Sequence, residues 1–265
     1  MNLKGKTVWI TGASSGIGEQ LAYTCVRRGA THLIVSSIEK AALEQVKNKC
    51  EEMGSRCFAL VFDLSNPKEV ENAARQVLDK YTQIDVLINN GGISQRASTL
   101  ETSMATIRKI MEINFFAATI LSKMVVPRMI KNGGGVVAVT SSITGKFGFP
   151  LRSAYAASKH AILGFFETLR LENKENNIQV TIAIPGRVQT AISVNAITKD
   201  GSIHGKMDEG QSGGVTPEVC AEKYINAIEK NKREVLIGGK ELMMVHIKRF
   251  FPALFNRLAT KIKAT

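Results

Sequence analysis

Hydrophobic residues along the chain fall into short blocks separated by longer amphipathic stretches. Thr7 to Thr11 (TVWIT), His32 to Ser36, Cys57 to Phe62, Val86 to Asn89, Val136 to Thr140, Val180 to Ile184 and Val235 to Ile237 read as strands, rich in β-branched residues. Between them, Gly16 to Arg28, Glu39 to Met53, Pro67 to Tyr81, Leu100 to Met111, Asn114 to Lys131, Tyr155 to Asn173 and Pro217 to Lys230 carry helical spacing. Pro67 and Pro217 stand where a first helical turn tolerates proline. Short, nearly continuous apolar strands alternating with helices predict a parallel sheet covered on both faces. Right-handed crossovers then give one α/β domain, a doubly wound Rossmann-type fold of about seven strands.

Two regions fall outside this rhythm. Arg187 to Val215 is rich in glycine and has no clear period. A loop this long in a compact domain is expected to serve as a substrate lid or binding loop, the alternative being a disordered surface excursion. Beyond residue 239 the tail changes character. Ile247, Phe251, Leu254, Leu258 and Ile262 form an apolar stripe broken near Pro252, accompanied by Lys240, Lys248, Arg249, Arg257, Lys261 and Lys263 against the single acid Glu241. Residues 1–239 are therefore expected to form the dinucleotide-binding and catalytic domain, and 240–265 a basic amphipathic tail. Such a tail can lie in a membrane interface, with Phe250, Phe251 and Phe255 adding apolar burial, or pack on protein.

Composition narrows the class. With 265 residues, 44% apolar and 22% charged, the chain has an ordinary globular balance. The apolar stretch Phe115 to Val126 is interrupted by Lys123, so no spanning helix is expected. The start runs directly into a strand, and a cytoplasmic setting is expected, with peripheral membrane contact through the tail. Cys25, Cys50, Cys57 and Cys220 form no metal-type or redox-type pair. The net charge of +12 favours anionic partners. No nucleic-acid motif accompanies it, so nucleic acid is not an expected partner.

Two motifs carry candidate chemistry. Thr11-Gly12-Ala13-Ser14-Ser15-Gly16-Ile17-Gly18 lies between the first strand and the first helix. There, glycines let the backbone approach a pyrophosphate and the helix N-terminus offers free N–H groups. Tyr155 and Lys159 share a helix face four residues apart, and Ser142 ends a strand. An ammonium beside a phenol lowers its pKa, which suits proton exchange with a carbonyl or hydroxyl oxygen.

Together with Asn89-Asn90-Gly91-Gly92, Asn114 and Pro185-Gly186, and with Ser142 and Tyr155 thirteen positions apart, these residues resemble the classical short-chain dehydrogenase/reductase family. The runs Arg152 to Ala161 and Ser193 to Thr198 resemble its member 7B branch. The resemblance covers about residues 5 to 240. It implies an oxidoreductase using NAD or NADP on a small-molecule carbonyl or secondary alcohol, most simply a reductase of apolar, lipid-like ketones. By that resemblance Tyr155 is the acid/base, Lys159 tunes it and holds the ribose, Ser142 orients the substrate oxygen, and Asn114 anchors a proton relay. Gly12, Ser14, Ser15, Gly16, Ile17 and Gly18 would line the pyrophosphate. Ser37, Asp63, Leu64, Asn90 and Gly91 would surround the adenosine, and Pro185, Gly186, Val188 and Thr190 the nicotinamide. A homodimer or homotetramer is also implied.

The chain departs from the family in having Gly91 where alanine is usual. It also lacks a charged residue within Val35-Ser36-Ser37-Ile38. With no carboxylate there to repel a 2′-phosphate, and with Ser36, Ser37 and Lys40 available to bind it, NADP is the expected preference. A cofactor-binding regulator without turnover is the alternative, which an intact Ser142, Tyr155 and Lys159 set argues against.

Overall fold

The computed structural model describes residues 1–259. Among these, seven strands form one parallel sheet. In chain order they are β1 (Thr7–Thr11), β2 (His32–Ser37), β3 (Arg56–Val61), β4 (Val86–Asn89), β5 (Gly135–Thr140), β6 (Ile178–Pro185) and β7 (Glu234–Ile237). Their spatial order is β3-β2-β1-β4-β5-β6-β7, so the sheet reverses direction between β1 and β4. That reversal opens a crevice at the carboxyl ends of the strands, where ligands of such sheets bind.

Helices cover both faces. In chain order they are α1 (Gly16–Arg27), α2 (Lys40–Glu52), α3 (Pro67–Lys80), α4 (Met104–Met111), α5 (Ala117–Lys131), α6 (Ser153–Glu172), the single-turn α7 (Glu209–Ser212), α8 (Pro217–Glu229), α9 (Met243–Phe250) and α10 (Pro252–Ala259). α1, α2 and α8 pack on one face, and α3, α5 and α6 on the other. One core joins Val8, Ile10, Leu33 and Val35 to Leu21, Leu43 and Tyr224. The other joins Trp9, Ile34, Leu87 and Val137 to Val77, Leu121 and Phe166. Successive strand residues alternate between these cores, as the pleat requires. Cap chemistry sets the helix starts. Asn66 accepts from the Lys68 N–H ahead of Pro67, and Thr216 accepts from the Val219 N–H ahead of Pro217.

Three expectations are revised. The two helices expected over 100–111 and 114–131 are one continuous run, Met104–Lys131. It starts after Ser103, which accepts from the Thr106 N–H, rather than at the exposed Leu100. A π-helical segment, Glu112–Phe116, joins its halves and contains Asn114. By length and composition this run could cross a membrane. Here Ala117, Leu121, Val125 and Met129 pack within the second core.

The segment 187–215 is ordered by paired contacts rather than excursive. Val188 bridges to Val215, and Ile197 to Gln95 and Ile203.

The tail breaks at Phe251, before Pro252, but its stripe does not form a single face. Phe255, expected to turn toward lipid, is instead buried against Phe147 with ring centroids 5.3 Å apart. Ile247 packs beside the same core, while Phe250, Phe251 and Leu254 are exposed. Lys261, Ile262 and Lys263 lie outside the described residues.

Candidate active site

A cavity of about 940 Å³ occupies the crevice at the carboxyl edge. Its first wall is the turn after β1. Gly12 has φ +63°, and a Cβ there would sit 2.6 Å from the Gly91 Cα. A Cβ on Gly18 would overlap the Gly12 carbonyl oxygen. Only glycine lets the two loops pack back to back. Thr11 Oγ1 accepts from the N–H groups of both Asn90 and Gly91 at 3.1 Å. The Asn90 amide donates to the carbonyls of Thr11 and Gly12 at 3.3 Å. Ser15 precedes α1 without capping it through its side chain, so the first-turn N–H groups are left for a ligand. Gly12, Ser14, Ser15, Gly16 and Ile17 all line the cavity. An uncapped helix start behind a side-chain-free turn fits a dinucleotide pyrophosphate.

The adenosine end differs from expectation in detail. Ser37 lines the cavity and shares a 2.8 Å hydrogen bond with Ser14. Ser36 also reaches the lining, but its hydroxyl accepts from the Trp9 indole at 2.7 Å, and the residue is only 1% exposed. Lys40 is exposed and not part of the lining, whereas Glu39 is. Of the three groups expected to favour a 2′-phosphate, Ser36 is therefore engaged elsewhere and Lys40 lies outside the lining, while the Glu39 carboxylate is part of it. Asp63 lines the cavity and also fixes the next turn, its two oxygens accepting from the Ser65 N–H at 2.7 Å and hydroxyl at 2.8 Å. The Leu64 side chain covers Gly91, filling the space a Cβ would need there.

Ser142, Tyr155 and Lys159 line the cavity, Asn114 approaches it only behind Gly92, and all four are buried. Burial raises the Tyr155 phenol above its ordinary value. The nearby Ser142 hydroxyl, and then the charges of Arg152 and Arg96, work the other way. The expectation that Lys159 lowers this phenol gives way to those two guanidiniums. The Lys159 ammonium lies 5.6 Å from the Tyr155 ring centroid and donates to the Thr140 carbonyl at 2.9 Å. Burial brings Lys159 down to about 8.

Asn114 clamps the loop after β4. Its Oδ1 accepts from the Ile93 N–H at 2.8 Å, and its Nδ2 donates to the Ile93 carbonyl and to Ser158 Oγ, each at 3.0 Å. A Cβ on Gly92 would come 3.0 Å from Asn114 Oδ1 and 3.4 Å from Lys159 Nζ, so these groups border one small space.

At the far edge, Pro185 ends β6, and the Gly186 N–H donates to the Ile237 carbonyl at 2.7 Å. Gly186, Val188 and Thr190 line the cavity, and the Thr190 methyl reaches the position a Gly16 Cβ would occupy. Glu241 from the tail accepts from the Arg187 N–H at 2.9 Å, tying tail to site.

Sequence reasoning missed four residues at the site. Fully buried Gln95 accepts from the N–H groups of Ala154 and Tyr155, at 2.8 Å and 3.4 Å, and so holds the start of α6. Arg96 and Arg152 both bind Asp208. The polar run Ser94-Gln95-Arg96, in the loop after a strand that ends at the ligand edge, was the available signal.

A parallel sheet with a glycine turn at its switch point, and a buried Ser-Tyr-Lys set beside it, defines a dinucleotide-binding fold with acid/base chemistry in reach. The short chain dehydrogenase family model matches residues 6–201. Dehydrogenase/reductase SDR family member 7B of Xenopus laevis is 37% identical over 260 residues, covering 96% of this chain and 80% of that protein. A 7α-hydroxysteroid dehydrogenase solved with NADH and 7-oxo glycochenodeoxycholic acid aligns with a TM-score of 0.78 at 26% identity, covering 90% of this chain and 95% of that one. An NAD(P)-dependent gluconate 5-dehydrogenase, assigned as such provisionally, from Beutenbergia cavernae and bearing NADP aligns with a TM-score of 0.75 at 27% identity, covering 89% and 95%. This chain belongs to the short-chain dehydrogenase/reductase family of oxidoreductases.

Proposed function

We propose that the protein reduces ketones to secondary alcohols with Tyr155 as proton donor. The observation that carries this reading is the buried Tyr155 phenol, which lines the cavity with Ser142 and Lys159 and is held above its ordinary value by burial. A phenol that keeps its proton at neutral pH is ready to donate to a carbonyl oxygen as charge develops there. Ser142 hydrogen-bonds the same oxygen and orients it. Lys159, about 8, is an ammonium at neutral pH and holds the ribose hydroxyls. Asn114 Oδ1, beside Gly92 and Lys159, accepts from a water that resupplies the proton. Bound nicotinamide supplies the hydride, and Gly12 to Gly18, Asp63, Asn90 and Thr190 hold the dinucleotide. Replacing Tyr155 with phenylalanine keeps the ring and removes the donor. Turnover falls by about two decades or more, the usual range for a positioned acid, while fluorescence titration finds cofactor affinity unchanged. Near-native turnover in Tyr155→Phe overturns the mechanism.

The substrate class follows from the walls. Ile93, Ile113, Phe149, Ile192, Ile197 and Ile203 give the cavity an apolar side. This supports bulky apolar ketones, and the steroid-binding neighbour supports the same reading. On cofactor choice, NADP remains the proposal through Ser14 and Ser37, with Glu39 keeping the margin over NAD to a few-fold. The tail carries a further proposal. Exposed Met243, Phe250, Phe251 and Leu254 beside Arg249 suit reversible attachment to anionic lipid, in a cytoplasmic setting. Vesicle co-sedimentation that weakens in high salt supports it, and indifference to anionic vesicles overturns it. A homodimer or homotetramer is the expected assembly, checked by sedimentation.

A further inference from the structure

Beside Tyr155 the cavity holds a charge arrangement that proton transfer does not require. Arg96, 3% exposed through its side chain, grips Asp208 with Nε and Nη2, the latter at 2.5 Å. Its Nη1 is fixed by Ser94 Oγ at 2.8 Å and the Gln95 carbonyl at 2.6 Å. Arg152, at the start of α6, donates from Nη2 to the same Asp208 oxygen at 2.7 Å, and its guanidinium lies 4.5 Å from the Phe149 ring centroid. Two guanidiniums thus face one carboxylate, leaving a surplus of one positive charge. A buried, incompletely compensated cation is costly. The surplus shows in Arg152, which burial and then Arg96 bring down to about 10 despite the pull of Asp208. All three residues line the cavity, and neighbouring Glu209 is exposed. Both arginines also act electrostatically on the Tyr155 phenol, so the surplus lies close to the reacting oxygen.

We propose that Arg96 and Arg152 form an anion subsite that selects carbonyl substrates bearing a carboxylate, with Asp208 holding the two arginines in place. The inference rests on the reductase reading and sharpens it: the substrate is an oxo acid with an apolar body. One monoanion neutralises the set without displacing Asp208, and a guanidinium matches a carboxylate through paired hydrogen bonds. The pyrophosphate is not this anion, because the turn after β1 and the start of α1 serve it. Phe149 against Arg152 gives the apolar body a wall next to the charge. Asp208 belongs to the 187–215 loop, so the subsite also ties substrate choice to the placement of that loop.

The test is a series of straight-chain oxo acids, with the carbonyl at successive distances from the carboxylate, each beside its primary amide. The subsite predicts that at the best spacing the acid exceeds the amide at least tenfold in kcat/KM. Arg152→Gln brings that acid-to-amide ratio to near one, and Asp208→Asn raises it by adding a second unit of surplus charge. A purely structural role for the three residues lowers both substrates together and leaves the ratio in place, which overturns the subsite. Equal rates for acids and amides in the native protein overturn it as well. If no member of the series turns over with NADH or NADPH, the reductase reading fails, and calorimetry on the NADP-loaded protein then decides the subsite by itself. Acids binding tenfold tighter than amides, a difference lost in Arg152→Gln, uphold it. Equal affinities overturn it.

Discussion

The two halves of the cavity are held together by different physics. On the cofactor side, Thr11 to Gly18 packs against residues 90–92 through hydrogen bonds between side chains and backbone and positions where no Cβ fits. Its parts sit on β1, β2 and β4, neighbours in the sheet, or on β3 at its edge. On the substrate side, Arg96 and Arg152 meet Asp208 across separations of 112 and 56 residues, and charge does the joining. The first half is shaped before a ligand arrives. The second depends on a loop staying latched. A rigid cradle joined without ion pairs suits a constant cofactor, whereas a charged, loop-borne wall can be retuned for substrate without disturbing the sheet.

The largest effect that separates the halves is expected at Gly18. In Gly18→Ala the new methyl meets the Gly12 carbonyl, and the loop must shift. Overpacking of this kind costs about 1–3 kcal/mol, and where that cost falls on the cofactor-binding loop, affinity drops about five- to 150-fold. Calorimetric titration checks this, and native affinity in the variant would show the cradle to be softer than claimed.

The next effect lies at the junction. Burial brings Lys159 from its ordinary 10.5 to about 8, so between those values the unfolded chain binds more protons than the folded one. Stability of the cofactor-free protein therefore rises as pH increases through that window, by roughly 1 kcal/mol per unit at most. Thermal unfolding of native and Lys159→Met proteins from pH 7 to 10 isolates this slope. Parallel curves for the two proteins contradict the account. A smaller effect belongs to Glu39. Removing its charge in Glu39→Gln relieves repulsion of a 2′-phosphate by about 1 kcal/mol, so the NADPH-to-NADH affinity ratio rises about fivefold. An unchanged ratio means that Glu39 does not face the phosphate.

How much was legible follows the same division. The seven strands and the catalytic set could be read because local pattern and sequence-near motifs specify them: Tyr155 and Lys159 share one helix, and the glycine turn is contiguous. Asn114 was legible as a residue, but the π segment that turns it was not, because helical spacing does not reveal one extra residue per turn. Glu39 was passed over because it lies just beyond the strand end, and only the fold shows it reaching the cavity. Asp208 carries no local signature, and the polar run Ser94-Gln95-Arg96 marks Arg96 without saying what it binds. Their meaning comes from a pairing across 112 positions. Phe255 was misread for a related reason: a helical stripe shows that a face is apolar, not what covers it.

The central claim is carbonyl reduction at Tyr155, and isotope transfer tests it most directly. The protein is incubated with an oxo acid and cofactor deuterated at nicotinamide C4, and the alcohol is analysed by mass spectrometry. The account predicts one deuterium on the carbinol carbon with the native protein, and a rate about two decades or more lower with Tyr155→Phe. Cofactor that binds natively but passes no deuterium to any ketone, or equal transfer by both proteins, would contradict it.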